Sequence, residues 1–224
     1  MTQRLSKMAE RCYVPGGEAG IEKELIRMSI ARERSIYKEI RIDLPEWIDA
    51  FINKTKTYET DEDKMCLAID LARENVLRAT GGPFGAAVFE EASGRLAGVG
   101  VNSVERLMNS TLHSEMVALM LAEASVESYT LHAPGMAPHV LATSCEPCAM
   151  CLGGIFWSGV RRVVCGVGRA DAERLGFDEG PVFPESYRYL TDRGIEIVHG
   201  VMADEARSVI ELYRQRCGLI YRGS

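Results

Sequence analysis

The stretch SCEPCAMCLGG, residues 144–154, sets Cys145, Cys148 and Cys151 at intervals of three and places the last two in a Pro-Cys-x-x-Cys frame. HVLATS, residues 139–144, leads into it as a short buried strand, and a helix is expected to begin near Pro147. Two cysteines three apart at a helix start can face one point. The positive potential of that terminus favours thiolate over thiol. Zinc prefers nitrogen and sulfur ligands in tetrahedral arrangement. Some thirty residues upstream, HSE at 113–115 offers a nitrogen. His113 with Cys148 and Cys151 makes a three-ligand set, which leaves the fourth position open, as catalytic rather than structural zinc sites do. Glu115, in the first turn of the next helix, can approach that position without ligating and carry protons there. A closed four-ligand site with Cys145 is the alternative, and it gives Glu115 no role.

Working outward, the elements alternate. TDEDKMCLAIDLARENVLR, from Thr60, opens with capping residues and puts Met65, Ile69, Ala72 and Val76 on one helical face. Gly81-Gly82-Pro83 stops it. FGAAVFEE and RLAGVGVNSV are expected strands around a turn at Ser93-Gly94. HSEMVALMLAEA is a helix and RRVVCGVG a strand. A short helix at 170–175, a strand in IEIVHGV and a last helix in ADEARSVIELYRQRC complete the pattern. Helices between successive strands predict an α/β fold with helices on both faces of a mixed sheet. Residues 1–60 are expected to form a helical extension and residues 61–224 the main domain. In the extension, Ile21, Leu25 and Met28 mark one helix, and Trp47, Ile48, Phe51 and Ile52 another behind Pro45.

Composition narrows the function classes. The chain has 224 residues, 46% hydrophobic and 26% charged, with net charge −6. An acidic chain disfavours nucleic acid as a partner, because phosphate binding gains mostly from clustered Lys and Arg. Seven cysteines, an odd number and three of them crowded, argue for thiols in a reducing compartment and a cytoplasmic protein. No apolar run reaches membrane-spanning length. Cys165 is expected to be a buried core thiol, and His132, His139 and His199 ordinary surface or strand-end residues.

The combination H-x-E…P-C-x-x-C is the signature of zinc deaminases that act on bases. Through it, residues 61–224 resemble the cytidine deaminase-like superfamily. GGPFGAAVF (81–89), Asn102, TSCEPCAMCLGG and IFWSGV are most similar to the bacterial guanine deaminases. GFDEGP (176–181) resembles a subgroup that also accepts ammeline. The resemblance implies a three-layer α/β/α sandwich with about five strands, bound zinc, and a homodimer. It implies hydrolytic deamination of a small aminated heterocycle, guanine first, with Glu115 as the catalytic proton carrier and Glu179 as a second acidic residue at the substrate. It further implies that Asn102 hydrogen-bonds the base, Phe84 and Trp157 wall the pocket, Phe177 closes over the ring, and the Ser114 main chain meets a substrate carbonyl. The usual motif is His-Ala-Glu; here Ser114 adds a hydroxyl that bears on substrate choice. Other small substrates, transfer-RNA adenosine and a non-catalytic zinc module are the competing readings. The apolar Ile220 and Tyr221 of the C-terminal LIYRGS are expected to close over an active site.

Overall fold

The computed structural model describes residues 39–221. The extension helix expected around Ile21, Leu25 and Met28 lies outside them. From Ile42 onward the chain forms one compact unit. Its first helix, α1 (Trp47–Phe51), buries Ile48, and the nearby Tyr58 is also buried in the core. Segment 42–60 thus shares its core with the residues that follow.

Helix α2 (Asp61–Leu77) begins with a reciprocal capping box. Asp63 N donates to Thr60 Oγ1 at 3.0 Å, and Thr60 N donates back to Asp63 Oδ2 at 3.3 Å. Two otherwise orphaned N–H groups are satisfied in this way. Strands β1 (Gly85–Glu90) and β2 (Leu96–Val101) form an antiparallel hairpin, followed by α3 (Ser114–Ser125) and β3 (His139–Cys145). Next come α4 (Ala149–Ser158), β4 (Arg162–Val167), α5 (Arg169–Leu175) and α6 (Pro184–Thr191). Strand β5 (Glu196–Val198) and helix α7 (Ala203–Gln215) end the order. Helix α6, an addition to the expected elements, starts with Pro184 at its first helical position.

The sheet order is β2-β1-β3-β4-β5. β1 pairs antiparallel with β2 and β3; β3, β4 and β5 run parallel. Side chains alternate across each strand, so one strand feeds two cores. Ala87 and Phe89 pack on one face with Met65, Leu71, Val209 and Tyr213. Ala86 and Val88 pack on the other with Ala118, Leu119, Ile155 and Leu190. This is the expected three-layer sandwich on a five-stranded mixed sheet.

Two glycines of β2 bring α3 unusually near the sheet. A Cβ at Gly100 would lie 2.0 Å from the carbonyl oxygen of Ser114, and one at Gly98 would lie 2.6 Å from the nitrogen of Ala122. Only glycine permits both approaches. The close packing fixes the start of α3, and with it His113 and Glu115, over the sheet. On the opposite flank Arg162 grips Asp61 in a two-pronged pair at 2.6 and 2.7 Å, tying β4 to the start of α2.

Candidate active site

Two helix starts meet above the ends of β1 and β3. His113 is the residue before α3, and Cys148 the residue before α4. Cys151 lies one turn further along α4. The α4 terminus is anchored from outside, because Ala149 N donates to the Glu179 carbonyl at 3.0 Å. That bond satisfies an otherwise free helix N–H and sets the loop holding Glu179 beside the cysteines.

The Nδ1 atom of His113 lies 3.5 Å from Cys148 Sγ and 3.7 Å from Cys151 Sγ. A tetrahedral zinc with bonds of about 2.1 Å to nitrogen and 2.3 Å to sulfur holds such ligands about 3.6 Å apart. The three donors therefore fit zinc in both chemistry and spacing. Among the described residues they form the one such ligand group. Cys145 stands outside it; it is buried, and burial pushes its thiol well above the ordinary range. The closed four-ligand alternative is thus absent from the geometry.

Electrostatics divide the two cysteines. A hydrogen bond from Cys151, with further help from His113, brings the Cys148 thiol down to about 4 against the cost of burial. The same bond to Cys148, together with burial, raises Cys151. Zinc is held by thiolates, so binding it requires both cysteines deprotonated. Desolvation raises the Glu115 carboxyl, and the neighbouring Cys148 adds to the rise. Ser114 Oγ donates to Glu115 Oε2 at 3.0 Å and partly opposes that rise. Glu179 is pushed up to about 8, first by burial and then by Cys148 and Glu115. The site thus holds two carboxyls with a raised hold on protons.

One cavity gathers most of the expected residues. Phe84, Asn102, His113, Glu115, Cys148, Phe177 and Glu179 all line it. Phe84 and Phe177 meet edge to face at 5.0 Å. Asn102 N donates to the Phe84 carbonyl at 3.0 Å, which fixes the amide at the cavity wall. Its Oδ1 is buried and has no hydrogen-bond partner.

One expected residue is placed elsewhere. Trp157 does not wall the cavity of its own chain and is 79% exposed. Six residues along a helix from Cys151 correspond to a turn of about 240°, which carries Trp157 off the site-facing side. Ser114 is fully buried, and its hydroxyl is spent on Glu115 rather than on the cavity.

Other lining residues had weaker signals. Tyr221 enters from the C-terminal tail of the same chain, as the apolar residues of LIYRGS foreshadowed, and sits edge-on to His113 and Phe177. Together they leave about 20 Å³ of open space, room for one water and not for a purine. Glu146, inside the cysteine motif, also lines the cavity. Its carboxylate accepts from Arg169 N at 3.1 Å and lies 2.7 Å from His199 Nδ1. That pairing needed the fold, because His199 follows β5, far along the chain.

Comparison with known proteins agrees with this geometry. Residues 58–167 match the model for the cytidine and deoxycytidylate deaminase zinc-binding region. Guanine deaminase of Bacillus subtilis is 34% identical over 128 residues, covering 57% of this chain and 78% of its own length. The solved guanine deaminase of Nitrosomonas europaea is 37% identical, with a TM-score of 0.77, over 81% of this chain and 99% of that one. A related solved complex with 2,6-diaminopurine is 39% identical, with a TM-score of 0.76, over 81% of this chain and 95% of that one.

Proposed function

The chain belongs to the zinc-binding cytidine and deoxycytidylate deaminase family, and from that premise we propose that it hydrolyses guanine to xanthine, releasing ammonia. The observation that carries guanine is the buried, unpartnered Oδ1 of Asn102 in the same cavity as Glu115 and Glu179. An orphaned acceptor costs about 1–3 kcal/mol. A purine N–H edge supplies the missing donor.

His113, Cys148 and Cys151 would hold the zinc, a Lewis acid that activates water near neutral pH. Phe84 and Phe177 clamp the ring, and Asn102 fixes its edge. Glu115 takes one proton from the attacking water and passes it to the ring nitrogen beside the carbon that bears the amine. The new C–O bond forms at that carbon. The C–N bond then breaks, and its electron pair leaves with the amine; Glu115 takes the proton of the new hydroxyl and hands it to that amine as the carbonyl forms. Glu179, its hold on a proton raised by burial, hydrogen-bonds the substrate beside the departing group. The products are xanthine and one ammonia.

The Trp157 face supports a homodimer. Trp157 is 79%, Phe183 57% and Tyr189 47% exposed, and Phe156 joins Trp157 to Tyr189 at 5.1 and 5.5 Å. Free cysteines at 66, 145, 148, 151, 165 and 217 support a reducing, cytoplasmic setting. No helix among the described residues is long and apolar enough to cross a membrane.

Ammonia release from the zinc-loaded protein tests the reading, with guanine, guanosine, ammeline, cytosine, cytidine, adenine and a transfer-RNA anticodon stem offered separately. Guanine is expected to give the highest kcat/KM. Turnover of another substrate with guanine inert would overturn the guanine reading.

A further inference from the structure

At the opposite end of the sheet lies a second cleft, of about 500 Å³. Glu90, at the last position of β1, and His139, at the first of β3, line it. The zinc cavity takes Cys145 from the other end of β3. At strand rise the length of β3 separates the two sites by about 20 Å.

Lys54, Lys56 and Arg95 gather at this cleft against the single carboxylate of Glu90. In a chain of net charge −6, that is a local reversal of sign. Glu90 is already held in an ion pair by Arg95, and Lys54 pairs with Asp49 at 3.1 Å. Lys56 makes no ion pair among the described residues; its ammonium lies 4.7 Å from the centre of the Tyr58 ring. His139 is only 3% exposed, and its Nδ1 has no hydrogen-bond partner. A buried polar atom left in this way is costly. Thr57 adds a hydroxyl at the cleft, whereas the Thr55 hydroxyl is donated to Asn53 Oδ1 at 2.9 Å.

A lysine ammonium without a close ion pair, an unpartnered ring nitrogen and the Thr57 hydroxyl around one cleft suit an oxyanion. The volume falls within the range of about 300–1,000 Å³ typical of small-molecule sites. We propose that this cleft binds a phosphoryl anion, carried by a small phosphate monoester or as free phosphate, through Lys56, Arg95 and His139.

Calorimetric titration of the zinc-loaded full chain with ribose 5-phosphate, inorganic phosphate and ribose tests it. These probes lack a base, and occupancy is expected to leave the KM of the deamination substrate unchanged. Saturable binding of one phosphoryl ligand per chain, with none for ribose, is expected. Lys56→Ala should weaken it and Lys56→Glu should weaken it at least tenfold, both with deamination turnover intact. Tighter binding of the ester names a metabolite as the occupant; tighter binding of inorganic phosphate names the free anion. No binding of either at millimolar concentration, equal binding by ribose, indifference to Lys56→Glu, or competition with the deamination substrate would each overturn the proposal.

Discussion

The side-chain amide of Asn102 donates a hydrogen bond to the hydroxyl oxygen of Tyr221, 2.6 Å away and 119 residues distant in the chain. The tail thereby occupies a donor on the cavity wall. Opening the cavity must break this bond. A typical net worth of about 1 kcal/mol corresponds to roughly a fivefold shift between closed and open states. Tyr221→Phe is expected to lower KM by about that factor while leaving Tm nearly unchanged. A raised KM in steady-state kinetics would show instead that the hydroxyl contacts the substrate.

Glu115 is buried beside the three metal-ligating side chains without joining them. Glu115→Gln keeps the shape and removes the proton carrier. The loss expected in kcat is about 100- to 10,000-fold, with zinc content by elemental analysis still near one per chain. Near-normal kcat in the zinc-loaded variant would rule out the shuttle.

Ser114 stands where the resemblance implies alanine, and its hydroxyl points at Glu115. It therefore acts on the carboxylate rather than on the substrate. In Ser114→Ala the Glu115 carboxylate loses a stabilising donor and holds its proton more tightly. The acid limb of kcat/KM against pH should move upward, by less than about one pH unit for one hydrogen bond, with the preference between guanine and ammeline unchanged. An altered preference with an unmoved limb would place Ser114 at the substrate.

Glu179 carries a pH signature in stability. Its carboxyl is raised to about 8 in the folded chain, chiefly by burial, whereas the unfolded chain ionises it in the ordinary carboxylate range. Between those values the folded state binds the extra proton, so stability falls as pH rises. Above about 8 both states are ionised and the loss is complete. Glu179→Gln abolishes this contribution. In zinc-stripped protein its Tm advantage over the parent should grow through that interval and then level off; a pH-independent difference would mean an ordinary carboxyl.

Asp61 behaves with the opposite sign. The hydrogen bonds from Arg162, and then its charge, hold the Asp61 carboxyl below its ordinary range against partial burial. The stabilisation is present above the unfolded carboxyl's value and is lost as pH falls through the lower folded one. The side chains are 19% and 23% exposed, so solvent screens part of the attraction. Asp61→Asn is expected to cost about 1–2 kcal/mol at neutral pH, a gap that closes in acid. Equal urea midpoints at neutral pH would show that the pair adds nothing.

The sequence by itself determined the metal chemistry and the order of elements. Cys148 and Cys151 are a helical turn apart, and His113 and Glu115 share another helix start, so local periodicity alone sets their relative directions. The short apolar run in FGAAVFEE and the helical spacing of Met65, Ile69, Ala72 and Val76 marked a strand and a helix in the same way. The resemblance misplaced Trp157, because it names a position without saying which way its helix turns it. Only the tertiary structure decided what meets across long separations. It paired Asn102 with Tyr221 and Glu146 with His199, and it brought the Glu179 loop to the start of α4. It also gathered Lys56, Arg95 and His139 at the far end of the sheet. Periodicity reports the face on which a side chain lies; packing, desolvation and unmet hydrogen bonds depend on the partner that the closed chain places opposite.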